Sequence, residues 1–289
     1  MLLIFFLPIL FAVGLYLTTV ALDPGEVSGE VVVEGAADVV AFAPAGDGFV
    51  YGDPTGEIFV AHAEGEGFAV EPFAEIELSA SDGPGLVGLA LGSADTLYAA
   101  WIDAERRLVV AEVEGQGRPR PVWRSAPAQD PAGGHLEATA DGSLVVSDPR
   151  GRLMVLDPEA GTDQEPRELT SGWVGSIAFD VGENDRIWLA GQRPDGENLD
   201  LVLPDGTVTG TTRLEEELDP SGLAWSGSTV AICGAADEEV QVFRVDLQGD
   251  AELDDRAVTP DDCSLGITAL SDGRLLYSTG TDLRVIEAL

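Results

Sequence analysis

Residues 136–147 read LEATADGSLVVS: a short apolar run at Leu136 and Ala138, a turn at Asp141-Gly142, and a second run from Leu144 to Ser147. Two short apolar runs flanking Asp-Gly spell a β-hairpin, because Gly accepts the positive φ that a tight turn demands. The unit recurs along the chain. Equivalent turns fall at Asp47-Gly48, Asp95-Thr96, Asp185-Arg186, Ser226-Gly227 and Asp272-Gly273, so successive turns lie 48, 46, 44, 41 and 46 residues apart. A period in the forties built from short strands predicts an all-β chain folded as a β-propeller, one four-stranded blade per repeat, with six blades here. A single blade cannot bury both of its faces, so the repeats have to close into one ring.

The first repeat offers strands at 39–43, 49–51, 57–62 and 68–76; the second at 88–91, 97–101, 107–113 and 121–124. The third shows runs at 136–138, 144–147 and 153–156, and the fourth at 176–179, 187–190, 199–202 and 207–214. The fifth shows 223–225, 230–233 and 240–245, and the last 265–270, 274–278 and 283–289, where the chain stops one strand short of a blade. The run EVVVE from Glu30 to Glu34 has no partner of its own, so it is expected to supply the missing outer strand and to close the ring, which removes an exposed sheet edge. Residues 30–289 then form the propeller. No stretch after residue 22 holds a helical period.

Charge excludes several function classes. Against 52 Asp and Glu the chain sets 15 Arg and no Lys, a net charge of −37. Nucleic-acid binding requires a basic footprint, and an anionic lipid surface repels such a chain. The plain reading is a solvated, self-repelling surface suited to high salt; the sharper one is that some of the acids form cation sites.

Residues 2–22 (LLIFFLPILFAVGLYLTTVAL) carry no charged side chain. At about 1.5 Å per residue this run is roughly 31 Å long, the thickness of a bilayer's hydrocarbon core. Residues 1–22 are therefore expected to be an uncleaved membrane anchor or, with Thr19-Val20-Ala21 as the cleavage site, a secretory signal; residues 23–29 are a polar linker. Either way the propeller is exported, and the membrane is met through this segment only. Two cysteines, Cys233 and Cys263, fall in adjacent repeats in a compartment that permits a disulfide; they pair, or pack as small apolar side chains. With His62 and His135 as the only imidazoles, their spacing fits no zinc pattern.

Ligands and metals in propellers gather where loops enter the innermost strands, here 83–86, 130–135, 171–175, 219–222 and 261–264. Several of these stretches have a familiar wording. Residues 85–91 (GLVGLAL) with 97–100 (LYAA), 133–148 (GGHLEATADGSLVVSD), 191–206 (GQRPDGENLDLVLPDG), 220–225 (PSGLAW) and 267–286 together resemble the glucose/sorbosone dehydrogenases. These are extracytoplasmic six-bladed propellers that use pyrroloquinoline quinone (PQQ) and calcium. The resemblance runs in order along about 200 residues. It implies a base where this chain has Pro131, which cannot take a proton, and a cofactor-polarising Arg-Asn pair where it has Gly172 and Trp173. The family's cofactor-contacting Lys has no counterpart in a chain without lysine.

What remains is a short set of candidates. His135, displaced along the same strand, and Asp148, at the place of the family's acidic partner, are the catalytic candidates. Arg150, Trp173 and Arg193 are the cofactor candidates; Trp173 offers an aromatic face to a sugar or a quinone ring. Glu197, Asn198 and Asp200 crowd oxygen ligands into the loop that resembles the family's acidic one and are the calcium candidates, with Asp219, Asp261 and Asp262 as further channel-side acids. Arg106, Arg107, Arg118, Arg120 and Arg124 concentrate five of the fifteen arginines in one repeat, as compensation for neighbouring carboxylates or as a docking patch for an acidic protein partner. The leading expectation is a binding or interaction module that takes a protein or a carbohydrate and has lost the quinone chemistry. The first alternative is an aldose dehydrogenase with rearranged residues. The second is a gluconolactonase-type metal-dependent hydrolase, which residues 219–225 and 240–249 also resemble, although Ser221 stands where that family has Asn.

Overall fold

The computed structural model describes residues 29–36, 39–65, 67–78, 85–115, 118–128, 134–148, 150–214, 218–235, 240–246, 250–253, 263 and 266–286. The apolar segment 1–22, residues 23–28, Pro131, Asp261 and Asp262 lie outside the described residues, as does the side chain of Asp219. Among the described residues no helix is long and apolar enough to cross a membrane.

The strands assemble as six four-stranded antiparallel sheets. β1 (Glu30–Val33) precedes blade one, which is β2 (Ala41–Ala45), β3 (Gly48–Gly52), β4 (Glu57–Glu64) and β5 (Gly67–Glu75). Blade two is β6 (Leu86–Leu91), β7 (Leu97–Ile102), β8 (Leu108–Val113) and β9 (Arg120–Arg124). Blade three is β10 (Leu136–Ala138), β11 (Leu144–Asp148), β12 (Arg152–Leu156) and β13 (Arg167–Thr170). Blade four is β14 (Val174–Val181), β15 (Ile187–Arg193), β16 (Gly196–Val202) and β17 (Val208–Arg213). Blade five is β18 (Leu218–Ser226), β19 (Thr229–Ala235), β20 (Val240–Val245) and β21 (Ala251–Leu253). Blade six is β22 (Ile267–Ala269), β23 (Leu275–Ser278) and β24 (Leu283–Ile286), completed by β1. Glu30 pairs with Val285 and Val33 with Leu283, so the first strand closes the ring as its sequence position requires.

Three details differ from the reading of the sequence. The third and fifth blades have outer strands, β13 and β21, that the apolar pattern did not reveal, because an outer strand needs only one packed face and RELT and AEL carry little apolar signal. The turns of blades one and five sit one residue away from where they were expected. Gly46 (φ 59°) and Gly227 (φ 58°) take the first central position of two-residue turns, and Gly48 lies in a strand. Residues 219–222 belong to the long inner strand β18, with a register irregularity between Leu218 and Gly222, and are not a free loop.

Packing follows the ring. The apolar residues form six clusters, one at each interface between neighbouring blades; Leu144 and Val146 face blade two while Val145 faces blade four, the alternation a strand imposes. Trp188 packs edge-on to Trp225 between blades four and five, and Phe49 packs on Phe68 between blades six and one. Cys233 of β19 and Cys263, which precedes β22, are disulfide-bonded with Cα atoms 5.4 Å apart, joining blade five to blade six.

Candidate functional site

Antiparallel order gives the ring two unlike ends. The connections that enter each inner strand and the hairpins between second and third strands lie at one end, the loop end. The turns between first and second strands lie at the other, the turn end.

At the loop end one hairpin design repeats. In blade one, Asp53 Oδ1 accepts the backbone N–H groups of Thr55 (2.9 Å) and Glu57 (3.0 Å). In blade two, Asp103 Oδ1 does the same for Glu105 (3.0 Å) and Arg107 (2.9 Å). In blade three, Asp148 Oδ1 takes Arg150 (2.9 Å) and Arg152 (3.0 Å), while its Oδ2 takes Arg152 Nε at 2.8 Å. Asp148 is thus a buried turn anchor whose two oxygens are both engaged. Arg150 lends it a backbone N–H and is itself exposed.

In blade four the corresponding hairpin, from Arg193 to Gly196, carries a salt bridge instead. Arg193 Nη2 meets Asp200 Oδ2 at 2.6 Å, and the Asp200 side chain is fully buried. The guanidinium lies 4.3 Å from the centroid of the Trp173 ring, a cation–π stack that fills the gap between blades three and four. Burial pushes the Asp200 carboxyl up, against the pull of Thr211 and Arg193. The arrangement does not fit a hard divalent cation. Asp200 already has a cationic partner, the Asn198 amide donates to the Gly196 carbonyl at 2.9 Å, and Glu197, one residue away on the strand, belongs to the opposite face. Among the described residues no three His, Cys, Asp or Glu side chains converge as a metal site.

The channel narrows between the inner strands to a cavity of about 30 Å³, room for about one water molecule. His135, Glu137 and Ser221 line it. His135 just precedes β10 and Glu137 lies within it, two residues on, so they share a side. Burial pulls the His135 imidazole down to about 4, against a hydrogen bond to the backbone of Ser221, so it is neutral at physiological pH. Its ring lies edge-on to Phe179, with centroids 6.3 Å apart. Glu137 interacts with Asp180 on the neighbouring inner strand β14. Burial first, then the Asp180 charge, raises the Glu137 carboxyl well above the usual carboxylate range. Burial raises Asp180 to about 6, opposed by N–H groups of Trp225 and Val181.

The sequence candidates therefore separate. Trp173 and Arg193 come together with Asp200; His135 stands in the channel; Asp148 and Arg150 belong to a hairpin. Glu137 and Asp180 went unnoticed in the sequence. Their signal was an acid set inside an apolar inner strand, LEA and IAFDV. In the arginine-rich blade two, Arg107 pairs with Asp103 and Glu105, and Arg120 with Glu112. Arg106, Arg118 and Arg124 are exposed.

No family model matches the chain, and no curated protein matches it in sequence. Solved structures do match in fold. A putative oxidoreductase (glucose dehydrogenase) from Thermus thermophilus is 19% identical over 89% of this chain and 98% of its own, with a TM-score of 0.68. The PQQ-bound aldose sugar dehydrogenase of Streptomyces coelicolor is 16% identical over 89% and 95%, with a TM-score of 0.65. A gluconolactonase from Xanthomonas campestris is 16% identical over 88% and 87%, with a TM-score of 0.63. The chain shares their six-bladed propeller fold.

Proposed function

We propose that this protein is an exported, membrane-anchored propeller on the sugar-dehydrogenase plan that works as a non-catalytic binding module. The observation that supports this most directly is the commitment of the candidate residues to structure. Asp148 spends both oxygens on its hairpin, and Arg193 is bound to a fully buried Asp200 and stacked on Trp173. His135 is neutral and opens on a cavity far too small for a sugar ring.

The anchor has a geometric consequence. Glu30 pairs with Val285, next to the Leu275–Ile286 pair that follows the turn at Asp272-Gly273, so the chain enters the ring at the turn end. An anchor at residues 2–22 then holds the turn end toward the membrane and leaves the loop end, with the exposed Arg106 and Arg124, open to a partner carrying acidic groups.

The test is calorimetry of the full chain with pyrroloquinoline quinone, with and without calcium, paired with dye-linked turnover over an aldose panel. Neither binding nor turnover is expected. Calcium-dependent binding with dye reduction would overturn the reading and establish a dehydrogenase with rearranged residues.

One observation favours a second reading. Glu137 lines the channel and feels the charge of Asp180 on the next inner strand, and such a carboxylate pair suits a hydrolase of the gluconolactonase kind better than an oxidase. Lactone hydrolysis that depends on an added divalent cation, and that is lost in Glu137→Gln, would select it.

A further inference from the structure

At the turn end, the turns of blades one, four, five and six enclose a recess of about 570 Å³, within the range of small-molecule sites. Trp225 and Leu270 form apolar wall, and Arg186, Asn184, Ser226 and Ser271 supply polar groups. None of these four polar side chains has a hydrogen bond or ion pair with another described residue.

An uncommitted guanidinium is unexpected on a chain with 52 carboxylates. Three acids carried by the flanking strands and turns are engaged elsewhere. Asp180 takes the Trp225 N–H at 2.6 Å, Asp185 takes the Ala140 N–H at 2.8 Å, and Asp272 holds Arg274 Nε at 2.8 Å. The turn that carries Arg186 is also strained. Asn184 and Asp185 stand in succession at φ 60° and 55°, a left-handed conformation that costs a non-glycine residue energy and is retained where the surroundings require it. That turn sets Asn184 and Arg186 on the same recess wall.

The unspent groups are mostly donors: a guanidinium, an amide and two hydroxyls. They call for a ligand rich in acceptor oxygens and bearing negative charge, and Arg suits a carboxylate by its planar fork. The indole of Trp225 donates Nε1–H to the Gly227 carbonyl at 2.9 Å, and its half-buried ring lines the recess, a partner for the C–H face of a sugar. We propose that the recess binds a small acidic saccharide, a pyranose bearing a carboxylate. Arg186 takes the carboxylate, Asn184, Ser226 and Ser271 take hydroxyls, and Trp225 packs on the ring. The site lies at the end opposite the hairpins of Asp148 and Arg193 and does not depend on whether that end retains chemistry.

The test is calorimetric titration of the full chain with glucuronate, glucose and cyclohexanecarboxylate. Saturable glucuronate binding is expected, at least tenfold weaker for the neutral sugar and for the carboxylate without hydroxyls. Arg186→Gln, which removes the charge, and Ser226→Trp, which fills the recess, should each weaken glucuronate binding at least tenfold while melting as the parent does. Absence of saturable glucuronate binding overturns the proposal. So does glucose binding of equal strength, or undiminished binding in either variant that folds.

Discussion

Asp180 Oδ2 accepts the backbone N–H of Trp225 at 2.6 Å, tying the inner strand of blade four to that of blade five, while its charge acts on Glu137 of blade three. One acid pair thus couples three blades electrostatically. A carboxyl held at about 6 in the folded chain, against 3.8 as its reference, binds more protons folded than unfolded between those values. Its contribution is therefore fully present at low pH and is lost as pH rises through about 6.

The first prediction follows from that sign. Asp180→Asn keeps an acceptor for Trp225 and removes the charge, so it should stabilise the protein above pH 7, on the order of 2 kcal/mol, and leave it unchanged near pH 4. Glu137→Gln should behave in the same way. Urea midpoints measured across pH 4–8 check both; a parent whose stability rises from pH 5 to 7 in step with these variants would contradict the account.

Asp148 is predicted to be structural. Asp148→Ala removes the acceptor of two backbone N–H groups and of Arg152 inside a buried hairpin, and should cost about 2–4 kcal/mol. Asp53→Ala, at the same place in blade one but with more solvent around it, should cost about 1 kcal/mol. Denaturant unfolding of the two variants side by side tests the ranking.

Arg193→Ala leaves the Asp200 carboxylate buried without its cation, and should destabilise by about 3–5 kcal/mol. Lysine should rescue only part of this, because it lacks the planar group that stacks on Trp173. Arg193→Met combined with Asp200→Leu should recover most of the loss. A double-mutant cycle in thermal melts gives the coupling directly.

The Cys233–Cys263 bond spans 30 residues and clamps blade five to blade six. Closing a loop of that length is worth about 3–4 kcal/mol in the chain-entropy description. The double Cys→Ser variant should unfold at correspondingly lower urea, and reductant should lower the parent's midpoint toward it while leaving the variant's unchanged.

Much of the architecture was readable because the signals involved are local. The turn at Asp141-Gly142 shows in three adjacent residues: Gly142 takes φ 88° and Asp141 Oδ1 holds the Ser143 N–H at 3.0 Å. The closing strand was readable by counting, since the last blade lacked one strand and Glu30 to Glu34 had no partner. The outer strands β13 and β21 were not readable, because a polar edge strand looks like a loop. At the candidate site, sequence order marked Trp173 and Arg193 for cofactor and Asp200 for metal, but not that Arg193 pairs with Asp200 and stacks on Trp173.

By itself, the sequence determined the blade period, the closure of the ring and the acidity of the surface, since alternation, turn chemistry and composition all act between residues close in the chain. Tertiary structure alone decided that Glu137 feels the charge of Asp180, that Arg193 is spent on Asp200 above Trp173, and that Arg186 stands uncommitted beside Trp225. Strand alternation tells which face a side chain takes. Only the packing of blade against blade tells what stands across that face, and the free energy of a buried charge is set by that neighbour.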